Sequence, residues 1–162
     1  MQRTIAIVVV LLAAGCIEPP KTNRALVYVS GLQDLTTWDP VNGGRGNESY
    51  EGILGLPPPD NVPVLIAYLL DPTPTKIYDR LHDPPTVGDV VFHMLLLLFS
   101  MRAEDFASEG VWISKSEQIR KPNPIYFVRI EKDSVREKLR ERFARMAMER
   151  GWYGDQKPEK PK

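Results

Sequence analysis

The sequence predicts a mainly α domain, compact and helical, with one small β-ribbon. Three observations predict it. Apolar side chains recur at three- and four-residue spacing in three stretches between Asn47 and Gly151 and fill a fourth on nearly every side, each stretch opens on a capping residue, and prolines or a glycine close all but that fourth. Alternation in IYFVRIE, 125–131, and the β-branched and aromatic content of both it and GVWIS, 110–114, suit a two-stranded ribbon lying on the helices.

The 162 residues carry 21 basic and 21 acidic side chains, 15 prolines and one cysteine. The cysteine, Cys16, ends LLAAGC. Ahead of it Arg3 forms a short charged region, Thr4 to Leu12 an apolar one, and Ala13, Ala14 and Gly15 the small residues of a peptidase site. The apolar run is about half of the roughly 20 residues needed to cross a bilayer, so it reads as an address and not as an anchor. A single thiol also argues against a disulfide framework, which needs an even number. Met1 to Cys16 resembles the signal of bacterial lipoproteins, with Ala13 standing where leucine is most common. The resemblance implies cleavage between Gly15 and Cys16, acylation of Cys16, and a chain held on a membrane through its N-terminal lipid. Ile17 is not the aspartate that retains such proteins at an inner membrane, which implies the outer membrane of the envelope, facing the periplasm.

The expected organisation is a signal over 1–15, a tether over 16–24, a single helical domain over 25–153, and a charged, proline-bearing tail over 154–162. Arg3 leaves with the signal, so 20 basic side chains face 21 acidic ones, a balance that argues against a nucleic-acid partner. In the tether, Pro19 and Pro20 stiffen the chain. ALVYVS, 25–30, is too short for periodicity to separate strand from helix. WDPVNGGRG, 38–46, reads as loop, and it lacks the spacing of a phosphate-binding glycine loop.

From Asn47 the helices follow in order. Asn47 caps a helix whose Tyr50, Ile53 and Leu54 share a face, and Pro57 to Pro59 end it. Asp60 caps the next, with Pro63 in its first turn and Val62, Leu65, Ile66 and Leu69 as the buried stripe. Thr86 and Asp89 have capping-box spacing ahead of VVFHMLLLLFSM, apolar on every side except at His93 and therefore expected to be buried on every side. Asp133 or Ser134 caps the last helix, which presents Val135, Leu139, Phe143 and Met146 inward, pairs Glu141 with Arg145, and stops at Gly151.

LIAYLLDPTPTKIY followed by PPTVGDVVFHMLLLLF resembles one helical unit of bacterial HEAT-like proteins over residues 61–99. The resemblance implies a helical hairpin and no catalytic residue; no second copy of the unit occurs in the sequence.

Asp79, His82, Asp83, Asp89 and His93 are the residues that acid–base or zinc chemistry would use. The spacing of His82 and His93 matches no H-E-x-x-H helix, and no G-x-S-x-G elbow is present. His93 reads as a core histidine with a hydrogen bond, Asp89 as a cap, and Trp38, Trp112 and Trp152 as core or interface aromatics. The expectation is a lipoprotein with a non-catalytic interaction or structural role, a protein partner, no cofactor and no metal. The alternatives are a periplasmic metal-dependent hydrolase using the His82 region, or an inhibitor-like or immunity-like binding protein.

Overall fold

The computed structural model describes residues 23–38, 43–77, 83–111, 130 and 132–153. Gly15, Cys16, most of the tether, Asp79, His82, Trp112, nearly all of the expected ribbon and the tail lie outside the described residues. Of the ribbon's flanks, Val111 and Ile130 are described, and both are buried.

The chain is mainly α. ALVYVS is helical: α1 spans Arg24–Ser30, with the Asn23 side chain accepting from the Ala25 N–H, and a 3₁₀ turn, Gly31–Asp34, continues it. The helix thus takes Asn23 and Arg24 out of the expected tether. Ala25 and Val29 face inward and the Tyr28 ring lies over Gly52, which leaves Leu26 and Val27 outside.

α2, Glu48–Leu54, is capped by Asn47 as expected, its Oδ1 accepting from the Tyr50 N–H at 3.1 Å. α3, Pro58–Tyr68, begins two residues before the predicted cap at Asp60. Pro58 and Pro59 have no N–H to leave unpaired, so the first turn forms without a side-chain cap, and Asp60 instead places its charge in that turn, near the positive end of the helix. This start moves Pro63 out of the first turn and into the helix interior. It is tolerated because the carbonyl it fails to pair belongs to Pro59, an exposed residue that water reaches. Asn61, fully buried, donates from Nδ2 to the carbonyls of Ile53 and Leu56 at 2.9 and 3.0 Å, which closes the C-terminus of α2 and fixes the corner into α3.

α4, Val87–Phe99, carries the predicted capping box, with Thr86 Oγ1 accepting from the Asp89 N–H at 3.2 Å and Asp89 Oδ2 accepting from the Thr86 N–H at 3.0 Å. Its burial is not complete. Leu97 is 49% exposed and His93 half-buried, so one strip of the helix stays outside although almost every residue is apolar. α5, Asp133–Glu149, starts from Lys132, with Asp133 as its first residue instead of its cap. Ala147 takes the fully buried place expected of Met146, which is only half-buried. Among the described residues its ion pairs are Glu137 with Arg140, Arg142 with Glu109 and Arg136 with Asp89, in place of the expected Glu141 with Arg145.

α3 packs against α1, α4 and α5, and α1 against α2. The interior between α4, α5 and the 3₁₀ turn Ala103–Glu109 is aromatic: Phe143 lies 6.0 Å from Phe92, 5.3 Å from Phe99 and 5.1 Å from Phe106, ring centre to ring centre. Such pairs add about 0.5–1.5 kcal/mol each to the area they bury. At the end of α5, Gly151 adopts φ +67°, the Trp152 N–H bonds the Ala147 carbonyl at 2.8 Å, and the Gly151 N–H bonds that of Met148 at 3.0 Å. This left-handed turn folds Trp152 back to within 5.0 Å of Phe99, with Arg150 lying against both rings.

Candidate functional site

The segment between α3 and α4 is held at both ends. Asp71 Oδ1 accepts from the Thr73 N–H, the Thr73 carbonyl from Val87, the Pro85 carbonyl from both the N–H and the hydroxyl of Thr75, and the Asp71 carbonyl from Gly88. Asp71, Thr73 and Thr75 of D-P-T-P-T are thereby tied to Gly88, Val87 and Pro85, along the antiparallel bridge Pro74–Thr86. Val87 and Gly88 are fixed against the end of α3 before the first turn of α4 is complete.

Onto this joint comes Arg136 from α5. Its Nη2 lies 2.8 Å from Asp89 Oδ1 and 3.1 Å from Thr86 Oγ1, and its Nη1 donates to the Leu69 carbonyl at 3.1 Å. The Ile130 N–H adds a contact to Asp89 Oδ1 at 3.3 Å. Both ionic side chains are more than nine-tenths buried. A buried carboxylate and guanidinium are tolerated only when paired and hydrogen-bonded, as here. Gly88 is required beside them: a Cβ there would stand 2.3 Å from Arg136 Nη1 and 2.5 Å from the Leu69 carbonyl oxygen. Asp89 is therefore more than the cap the sequence suggested. Arg136 was not singled out by the sequence reading, although a signal existed: Arg136, Leu139, Phe143 and Ala147 lie on one helical stripe, and only the first of them is charged.

His93 sits one turn along α4 and looks elsewhere. Its ring meets the edge of Trp38, with centres 4.8 Å apart and planes at 77°, and its Nδ1 is 3.4 Å from the Tyr50 hydroxyl. Trp38 in turn meets Tyr50 edge to face at 5.8 Å. The hydrogen bond expected of a core histidine is thus a long one, and aromatic contact holds the ring. Gly43, at φ +65°, closes the cluster, because a Cβ there would stand 2.2 Å from the Tyr50 hydroxyl oxygen. Burial pushes the His93 pKa down to about 4 and the Tyr50 phenol up to about 12, against a backbone hydrogen bond from Gly44 and the charge of Arg45 that act the other way on the phenol. Near neutral pH His93 is an uncharged ring and Tyr50 an intact phenol, neither poised to move a proton.

Of the residues singled out for chemistry, Asp89 and His93 are committed to different neighbours, Asp83 is exposed ahead of α4, and Asp79 and His82 lie outside the described residues. Among the described residues no group of three or more His, Cys, Asp or Glu side chains could hold a metal ion, and no helix is long and apolar enough to cross a membrane. Trp38 and Trp152 pack in and against the core. No protein family, curated protein or solved structure matches the chain.

Proposed function

We propose that the chain is a bacterial lipoprotein, anchored through acylated Cys16, whose helical domain serves an interaction or structural role at the cell envelope. One observation carries the reading: the only cysteine follows Ala13-Ala14-Gly15 at the end of a short apolar run that begins just after Arg3. Acyl chains on that thiol would each bury many CH₂ groups at about 0.8 kcal/mol apiece, so more than one chain makes attachment effectively permanent. Ile17 directs the assignment to the outer membrane, facing the periplasm.

The partner we propose is a protein and not a nucleic acid, given the near balance of basic and acidic side chains, and a binding role in place of catalysis is supported by how the ionisable groups of the core are used. Asp89 and Arg136 neutralise each other, and His93 and Tyr50 serve as packing surfaces with pKa values far from neutrality. Cys16→Ser decides the anchor. Labelled palmitate should enter the unaltered chain and be lost from the variant, which should accumulate as uncleaved precursor. Label retained in Cys16→Ser would end the lipoprotein reading.

A further inference from the structure

We infer that the outward face of α1, Leu26 and Val27 beside Arg24, docks onto the membrane that holds Cys16. The inference rests on the lipoprotein reading and adds a second contact to it. Leu26 is 45% and Val27 54% exposed, and they adjoin each other on one helix, unlike Leu97 and Met148, which stand on α4 and α5. The same helix buries Ala25 and Val29 on its other side, so its orientation on the domain is fixed.

The occupant follows from reach and charge. Only Ile17 to Asn23, seven residues, separate the acylated cysteine from Arg24, and a fully extended chain covers at most about 3.6 Å per residue, or about 25 Å in all. α1 is therefore confined to the neighbourhood of the lipid surface in any conformation of the tether. Two apolar side chains are too few to bind a bilayer from solution, but a short linker makes their binding intramolecular, at an effective concentration in the millimolar range. Arg24 is the one ionic side chain of α1, and it suits an anionic headgroup. The nearest following carboxylate, Asp34, is paired with Lys76 at 2.6 Å.

The full chain, produced with its signal in a bacterial host, provides the test. Since acylation consumes the only native thiol, Val27→Cys creates a single site for a bimane label, and Met148→Cys a control on α5. Both are reconstituted into vesicles of phosphatidylethanolamine and phosphatidylglycerol containing doxyl-labelled lipid. Docking predicts bimane at position 27 quenched several-fold more than at 148, more by shallow than by deep doxyl groups, and released by Leu26→Glu with no change in the thermal melt. Equal quenching at the two sites in a palmitate-bearing chain overturns the docking and leaves the anchor standing. Protection of position 27 in native membranes without quenching in vesicles gives the face to a protein and also overturns it. Bimane reacting with Cys16 of the unaltered chain removes the anchor, and the docking with it.

Discussion

Arg136 and Asp89, 47 residues apart in sequence, form a buried ion pair with 2.8 Å between nitrogen and oxygen, and the carboxylate of that pair is also half of a capping box. One side chain thus starts α4 and receives α5. Removing one partner leaves the other charge buried and alone, which typically costs about 3–5 kcal/mol. Arg136→Met should show that loss in urea denaturation. Asp89→Asn combined with Arg136→Met should cost less than the sum of the single changes by about 1–3 kcal/mol, since the second change removes a charge already stranded. Strict additivity would mean that the two do not share one electrostatic environment.

Gly88 is the most sterically constrained position at that joint. Gly88→Ala drives a methyl against backbone at Leu69 and against the Arg136 guanidinium, whereas at Gly46 nothing lies within 4 Å and only the φ of +83° resists a side chain. Gly46→Ala should therefore cost about 1–2 kcal/mol, the usual penalty of the left-handed region, and Gly88→Ala clearly more. Comparison of the two midpoints in denaturant checks the order.

The pH response of stability should carry a His93 signature. Its folded pKa of about 4 lies below the ordinary 6.5, so between those values the unfolded chain binds a proton that the folded one refuses. Stability is unaffected by this group above 6.5 and falls as pH drops through the window. The full shift corresponds to about 3 kcal/mol. His93→Gln should shrink the difference in unfolding free energy between about pH 7 and about pH 4.5 by about 2–3 kcal/mol. An unchanged slope would place a charged imidazole beside Trp38.

The two leucines Leu95 and Leu97 provide a test of α4 within three residues. Leu95 is fully buried and Leu97 half-exposed. Leu95→Asp should approach the whole net stability of about 5–15 kcal/mol, because it buries an unpaired carboxylate. Leu97→Asp should leave the circular-dichroism melt nearly unchanged, within about 0.5–1 kcal/mol. Similar melts for the two variants would overturn the placement of α4.

Local chemistry was legible in the sequence. Asn47, Thr86 with Asp89, and Gly151 mark helix ends because each acts on backbone groups within three or four residues. What escaped depends on neighbours far along the chain. Arg136 looks like one more charge on a polar helix until Asp89, Thr86 and the Leu69 carbonyl are brought to it, and the Trp38–Tyr50–His93 cluster joins three separate elements. The start of α3 was displaced because a proline pair makes a cap unnecessary, so the capping residue that sequence rules look for has nothing to do there. The strip exposed at Leu97 was missed because composition shows how apolar a helix is and leaves unsaid how many sides its neighbours cover. Of the candidate site, the cysteine proposed for lipid attachment is visible in a few consecutive letters, while the face of α1 required knowing that ALVYVS is helical.

The pairing of Asp89 with Arg136 also bears on when the interior can close. A growing chain reaches Asp89 well before Arg136, so every shorter intermediate exposes a carboxylate whose counter-ion has not yet been made, next to a helix that is otherwise grease. Closing the interior at that stage would strand the charge, and desolvation opposes it. Until the last helix is present that opposition has no counterweight, so a chain truncated ahead of position 136 is expected to be looser and more open to proteolysis than the whole one.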